Sequence, residues 1–131
     1  MSEQLSEQRL QLLKQFAQAW NQHDIDALMS MMSPACSFAS SAGDQIQGQL
    51  AEGSAAVRVA YEKIWHTFHD AQWLDDEHFV FGDKGLSQWR FVGTLANGDK
   101  VETNGCDVFE FDGNKIKHKD SYRKNRPPIK A

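Results

Sequence analysis

The amino-acid sequence predicts an α+β fold in which three N-terminal helices pack on a curved antiparallel sheet and enclose a pocket. Two observations lead to this prediction: apolar residues recur at helical spacing in the first half of the chain, and their period changes to two after Asp70. The chain has 131 residues, of which 40% are hydrophobic, and this is enough to bury one core. We therefore expect a single domain over residues 1–131, with residues 125–131, which are rich in proline and cations, as a flexible tail.

Helical periodicity marks three segments of the first half. In each segment the apolar residues lie three or four positions apart, which puts them on one face of a helix. Asp24 and Ser54 are residue types that cap helix N-termini, and Ser33-Pro34 is a stop signal. The predicted helices run from Leu5 to Asn21, from Ile25 to Met32, and along the apolar stripe from Val57 to Phe68.

Segments with β periodicity follow these helices. Cys36 and Phe38 alternate with Ser37 in a short strand after the second helix. Later in the chain, turn signals such as Asn97-Gly98 and Asp112-Gly113 separate longer β-rich segments, which is typical of an antiparallel meander. The meander segments are Gln72 to Phe81, Leu86 to Leu95, Val101 to Phe111 and Lys115 to Arg123.

Side-chain alternation predicts which residues share the concave face of the sheet. Asp107 belongs to the same row as Phe109 and Phe111, and the burial of these rings turns the row toward the helices. A loop over residues 96–98 would pair this row with that of Trp89. A two-residue turn at 112–113 or 113–114 would then bring four residues of the last strand onto the same face, namely Ile116, His118, Asp120 and Tyr122.

The predicted concave face combines ionisable groups with aromatic rings, which is unusual for a core. Burial favours the neutral form of a carboxyl group and a nearby imidazolium favours the charged form, so both forms are usable in acid/base chemistry. We therefore predict a catalytic site of Asp107, His118 and Asp120 around one cavity. The alternative, that Asp107 and His118 only satisfy each other or a backbone group as buried polar residues, stays open at this point. The sequence also leaves open whether Glu77 or His78 faces the pocket.

The pocket is expected to be mostly apolar. Aromatic and methionine side chains from both layers line whatever space the helices and the sheet leave between them. No residues have the spacing of metal ligands, and Cys36 and Cys106 are predicted to be free thiols. The predicted lining residues are Phe16, Trp20, Met32, Phe38, Trp65, Trp89, Phe109 and Tyr122.

Composition argues against several classes of partner. The net charge is −4 and no run of Lys or Arg precedes the last residues, which argues against nucleic-acid binding. No apolar run approaches the length that spans a bilayer, and the acidic, polar N-terminus lacks the pattern of a signal peptide. We therefore expect a cytoplasmic protein that binds neither nucleic acid nor membrane.

Three segments carry a family resemblance. The segments Phe16 to Leu28, Gly105 to Phe111 and Asn114 to Tyr122 resemble the SnoaL-like branch of the nuclear transport factor 2-like superfamily, to which ketosteroid isomerase and polyketide cyclases are related. The resemblance covers nearly the whole chain and implies a cystatin-like cone. It further implies a small hydrophobic ligand, no cofactor or metal, and a homodimer formed through the outer face of the sheet.

The resemblance also bears on the reaction. Asp107 stands where ketosteroid isomerase has the protonated aspartate of its oxyanion hole, but the general base position is Ser40 and the tyrosine position is Phe16. Steroid isomerisation is therefore not expected. What the resemblance implies is a cofactorless acid/base isomerase, cyclase or dehydratase that acts on a hydrophobic carbonyl compound. The alternative is a non-catalytic module that binds a hydrophobic ligand or mediates dimerisation.

Overall fold

The computed structural model describes residues 2–131 and contains three helices and six strands within that range. The helices occur in the first half of the chain, and four of the strands follow the last helix. In chain order the elements are α1 (Glu3–Asn21), α2 (Ile25–Ser30), β1 (Met32–Ala39), β2 (Leu50–Glu52), α3 (Ser54–Thr67), β3 (Gln72–Phe81), β4 (Lys84–Thr94), β5 (Lys100–Asp112) and β6 (Lys115–Arg123).

The helices α1 and α2 begin where a side chain satisfies a free backbone N–H group, whereas Ser54, predicted as a cap, is the first residue of α3, which has no side-chain cap. Ser2 Oγ accepts a hydrogen bond from the N–H of Leu5 at 3.0 Å, and Asp24 Oδ1 accepts one from Ala27 at 3.1 Å, as the sequence predicts for Asp24. The expectation that α2 extends to Met32 is wrong, because Met32 opens β1 and pairs with Ile116 of β6. Strand pairing therefore overrides the helical spacing of this methionine.

The sheet has the strand order β2-β1-β6-β5-β4-β3. Strands β3 to β6 form the predicted antiparallel meander, whereas β1 runs parallel to β6. Within the described residues this is the one parallel pair, and it departs from the expected antiparallel sheet. It arises because the strand beside β1 is β6, the last strand of the meander, and not the strand that follows β1 in the chain. The short strand β2, which the sequence analysis did not foresee, pairs antiparallel with β1 at the edge of the sheet.

The helices cover the concave face of the sheet and bury an aromatic core. Phe16 lies 5.9 Å from Phe109 between ring centroids, and Trp20 lies 4.7 Å from Tyr61, both in edge-to-face geometry. Phe16, Trp20, Tyr61 and Phe109 are at most 4% exposed. The α+β cone predicted from the sequence is therefore confirmed. Within residues 2–131, none of the helices combines the length and the apolar content needed to cross a bilayer.

The predicted register of β4 and β5 is confirmed. Trp89 pairs with Gly105 and Ser87 pairs with Asp107, so that Asp107 shares the row of Phe109 that faces the helices. Asp107 is 6% exposed and Phe109 is 1% exposed. Asp107 therefore lies on the face that its alternation with Phe109 and Phe111 predicts.

The predicted face of β6 is wrong beyond Ile116. The turn has the expected length, since Asp112 pairs with Lys115, but Glu110 pairs with His118 and leaves Lys117 as an extra residue. This bulge reverses the faces of all later residues in the strand. The residues that face the helices, called here the inner row of β6, are Lys119, Ser121 and Arg123, whereas His118, Asp120 and Tyr122 face outward.

Candidate functional site

A cavity of about 470 Å³ lies between α3, the loop after β1 and the concave face of the sheet. We call it the cone cavity. Its volume is within the range of small-molecule sites. Aromatic rings form much of its apolar wall, because the inner rows of β1, β3 and β4 carry large rings and Phe68 follows α3. The aromatic lining residues are Phe38, Phe68, Trp73, Trp89 and Phe91.

All charged side chains that line the cone cavity among the described residues are cations: Lys63, Lys119 and Arg123. Two of them, together with the hydroxyl of Ser121, belong to the inner row of β6. Apolar walls strengthen the field of a cation, since little water screens it. The cavity therefore suits an apolar molecule that carries a carbonyl or an anionic oxygen.

Lys119 forms a buried ion pair with Asp107 at the inner end of the cavity. The distance from Lys119 Nζ to Asp107 Oδ1 is 3.4 Å, and the Lys119 ammonium donates a hydrogen bond to Ser121 Oγ at 2.9 Å. Ser121 in turn donates to Asp107 Oδ1 at 2.5 Å, and Trp89 Nε1 donates to Asp107 Oδ2 at 3.0 Å. The carboxylate thus has a defined partner for each of its oxygens, as a buried charge requires.

Three aromatic rings surround the Lys119 ammonium. Nζ lies 4.5 Å from the ring centroid of Phe38, 5.0 Å from that of Trp20 and 5.4 Å from that of Tyr61. Burial lowers the pKa of Lys119 from the ordinary lysine value of 10.5, while Asp107 opposes this effect by its charge and hydrogen bond. The net effect is a lowered pKa, so that the neutral amine forms at a pH closer to the physiological range than it does in an exposed lysine.

Arg123 lies nearer the mouth of the cavity. Its guanidinium carbon is 4.9 Å from the ring centroid of Phe91, which is a cation–π contact. Partial burial lowers the pKa of Arg123 below the ordinary arginine value, although an arginine stays protonated throughout the physiological range. The guanidinium is therefore a permanent cation whose orientation is restrained by its contact with the Phe91 ring.

A second group of hydrogen-bonded side chains lies beside the ion pair and shows which of Glu77 and His78 faces inward. His78 Nδ1 is 2.7 Å from Ser87 Oγ, and His78 Nε2 is 2.6 Å from Asp76 Oδ2. Register slips between Leu74 and Glu77, so that His78 pairs with Ser87 on the inner face and Glu77 faces outward. Asp76, Ser87, Asp107 and Lys119 line a small void of about 20 Å³, large enough for about one water molecule.

The other two predicted catalytic residues lie on the opposite side of the sheet. His118 Nδ1 is 2.6 Å from Ser37 Oγ, and Asp120 Oδ2 accepts a hydrogen bond from Tyr122 at 2.9 Å. The structure therefore does not bring His118 or Asp120 together with Asp107. The bulge at Lys117 is the cause, since it turns both side chains outward.

The predicted pocket residues lie in four different places, and Trp89 lines two of them. Phe38 and Trp89 line the cone cavity, and Phe16, Trp20, Trp89 and Phe109 line the small void. Met32 and Trp65 pack in or against the core and line neither space. Tyr122 is 54% exposed and lies in an outer groove, of about 620 Å³, between β5, β6 and the loop after β1. That groove has Tyr122 as its one aromatic lining residue among those described, so the cone cavity is the better apolar site.

Sequence reasoning missed Lys119, Ser121 and Arg123. The sequence shows that they alternate with Asp120 and Tyr122, but the inner position of a lysine looks unfavourable until its partner is known. Asp107 supplies that partner, and the bulge leaves Lys117 exposed, so only one of the two lysines is buried. Within residues 2–131 no group of three or more His, Cys, Asp or Glu side chains is arranged to hold a metal ion.

Comparison with known proteins agrees with this architecture. A candidate polyketide cyclase from Xanthomonas campestris pv. campestris superposes with a TM-score of 0.80 at 18% identity, over 92% of this chain and 93% of that chain. Bal32a, from a soil-derived mobile gene cassette, gives 0.81 at 15% identity over 92% of each chain. A Xanthomonas campestris protein of unknown function with a cystatin-like fold gives 0.78 at 18% identity, over 89% of this chain and 91% of that one.

These three likenesses concern the fold, because all of them fall below 25% identity. Among curated proteins, none matches the chain significantly. The SnoaL-like domain family, in contrast, matches residues 13–119, which extend from α1 to Lys119 on β6. The chain therefore belongs to the SnoaL-like domain family.

Proposed function

We propose that this chain binds a small hydrophobic carbonyl compound in the cone cavity and moves a proton on it, with Lys119 as the proton-transferring group. The observation that carries the proposal is the lining of the cavity: aromatic walls, cations as the charged groups among the described residues, and a buried amine at the inner end. A carbonyl oxygen that gains negative charge in an enolate would be stabilised by Lys119 and Arg123.

The roles of the polar groups follow from their positions. Lys119 and Ser121 line the cavity and would face the ligand, whereas Asp107 lies behind them and acts through them as counter-ion and hydrogen-bond acceptor. Arg123 would hold the oxygen of a ligand near the mouth. Asp107 is therefore proposed as a positioning residue, and Lys119 as the catalytic residue. The candidate polyketide cyclase among the structural neighbours fits this reaction class.

The test separates binding from catalysis with two probes. Calorimetry with 2-naphthoate measures whether the cavity takes an aromatic anion, with the matched alcohol 2-naphthylmethanol as the control for shape without charge. Proton NMR of 2-tetralone in D₂O measures exchange of the protons next to the carbonyl. Binding of naphthoate over the alcohol together with accelerated exchange supports the proposal. Binding without exchange favours the non-catalytic module, and absence of both rejects the cone cavity as a site for such ligands.

A further inference from the structure

The Lys119 amine has the surroundings of a nucleophile as well as those of a proton donor. It is 5% exposed, it lies against three aromatic rings, and its side chain lines both the cone cavity and the small void behind it. An amine that is held in an apolar site beside a carbonyl-binding cavity can attack the carbonyl carbon itself.

We infer that Lys119 forms a covalent Schiff base with an aldehyde or ketone bound in the cone cavity. This inference rests on the proposed function, since it requires that the cavity take a carbonyl compound. The observation that carries it is a two-bond path for protons that leads away from the amine: Lys119 Nζ donates to Ser121 Oγ at 2.9 Å, and Ser121 donates to Asp107 Oδ1 at 2.5 Å.

The step balances without any further reactant. The ammonium passes one proton through Ser121 to Asp107, and the Nζ lone pair attacks the carbonyl carbon, so that a C–N bond forms and the oxygen takes one of the two protons left on nitrogen. The nitrogen electron pair then breaks the C–O bond, Asp107 returns its proton through Ser121 to the departing hydroxyl, which leaves as water, and the last nitrogen proton stays on the iminium. One ammonium and one carbonyl group thus give one protonated iminium and one water molecule.

The site stabilises the product of this step by the same contacts that hold the ammonium. The protonated iminium keeps the positive charge of Lys119, so that Asp107 keeps its counter-ion and the rings of Phe38 and Trp20 keep their cation. Burial lowers the pKa of Lys119 and so raises the share of the attacking neutral form. The charged and titratable groups that bear on Nζ are Asp107, Tyr61 and the chain neighbour Asp120.

The experiment traps the adduct by reduction. The full chain is incubated with 2-naphthaldehyde and cyanoborohydride, which converts an iminium to a stable amine, and tandem mass spectrometry then assigns the modified lysine. The expected result is modification of Lys119 ahead of every other lysine, with suppression by 2-naphthoate. The variant Lys119→Arg keeps the cation and should lose the adduct, whereas Lys117→Arg, at the exposed bulge of the same strand, should keep it.

The mapping needs no variant, so a misfolded Lys119→Arg would not remove the test. Modification spread over the exposed lysines, or Lys119 modified no faster than they are, would overturn the inference. If 2-naphthoate binds in calorimetry while Lys119 stays unmodified, the Schiff base is rejected and the binding function stands. If neither ligand enters the cavity, the proposed function fails as well.

Discussion

Lys119 and Asp107 form an ion pair across β5 and β6, with 3.4 Å between Nζ and Oδ1, and both side chains are almost completely excluded from solvent. The pair connects two parts of the molecule, because Asp107 belongs to the aromatic row of β5 and Lys119 begins the polar inner row of β6. Removal of one partner would leave a buried charge without compensation. The proposed chemistry of the cone cavity depends on how this pair sets the charge of the amine.

The first prediction concerns the pKa of Lys119. The Asp107 carboxylate raises this pKa by its charge and hydrogen bond, against the lowering effect of burial. Asp107→Asn should therefore lower the pKa of Lys119 further below 10.5, and should move the pH profile of aldehyde trapping to lower pH. Heteronuclear NMR of the lysine ε-methylene group measures the shift directly. A pKa of Lys119 that does not change would show that Asp107 has no electrostatic control over the amine.

A second prediction concerns the close packing of Gly105 under Trp89. A Cβ atom on Gly105 would lie 2.5 Å from Trp89 Cη2 and 2.5 Å from the backbone oxygen of Tyr122. Gly105→Ala should therefore cost about 1–3 kcal/mol of unfolding free energy and displace the indole that donates to Asp107. Urea denaturation measures the loss, and tryptophan fluorescence reports the indole. Unchanged stability in this variant would contradict the packing described here.

Much of the fold could be predicted because it follows from local patterns. Helical spacing and a capping Asp24 predict the second helix start, and the parity of Phe109 and Phe111 puts Asp107 on the inner face. The face of β6 depends instead on one extra residue, Lys117, and nothing in the alternation of this strand distinguishes a bulged from a regular ladder. The cost of burying lysine favours the regular ladder until the pairing of Lys119 with Asp107 is known.

The same limit applies to the inward residue of β3, which the sequence leaves open. Whether His78 or Glu77 points inward depends on a slip near Asp75, whose φ of 54° lies in the left-handed region. An aspartate adopts this conformation more readily than most residues, but its presence alone does not predict a bulge. Positions that are set by irregular pairing are therefore the ones that required the structure.

The third prediction concerns acid stability. Asp70 accepts hydrogen bonds from the backbone N–H of Thr94 at 2.8 Å and from its hydroxyl at 2.6 Å, and these bonds lower the pKa of Asp70 below 3.8. Because the folded-state pKa is the lower one, this carboxylate stabilises the fold above the unfolded pKa, and the contribution is lost as the pH falls through the folded-state value. Asp70→Asn should therefore be less stable than the parent chain at neutral pH.

Denaturation of both chains across the acid range measures this effect. The difference between the parent chain and Asp70→Asn should shrink as the pH falls below 3.8, since protonation of Asp70 removes the charged acceptor in the parent chain. The same substitution to the amide at Glu62 on α3, Glu62→Gln, is the control for the loss of a carboxylate. The Glu62 carboxylate is half exposed and its contact with Arg58 is long, at 3.9 Å. A difference that stays constant with pH would contradict the assigned role of Asp70.

The fourth prediction concerns assembly through the outer face of the sheet. Phe79 and Phe81 are 44% and 58% exposed on this face, next to Leu86 and Val108 on the neighbouring strands. An apolar patch of this kind is commonly covered by a partner, and we propose a second copy of the chain. Sedimentation should give a dimer at micromolar concentration.

A matched pair of variants tests that assignment. Phe79→Glu should shift the chain toward monomer, whereas Val59→Glu, at a 66% exposed position on α3, should not. A parent chain that sediments as a monomer would contradict the proposal. A dimer that is equally sensitive to both substitutions would place the interface elsewhere.

The most direct test of which face of β6 is functional compares the activity of variants at two adjacent residues, Lys119 and His118, which face opposite sides of the sheet. The exchange of 2-tetralone protons in D₂O is followed by NMR for the parent chain, Lys119→Met and His118→Ala. To keep the comparison free of an unpaired carboxylate, the double variant Asp107→Asn/Lys119→Met, which removes both charges of the pair, is included. Both Lys119 variants should lose exchange by about a hundredfold, while His118→Ala should keep the parent rate. Loss of exchange in His118→Ala, or a parent rate in both Lys119 variants, would contradict the claim that the inner row of β6 is the functional one.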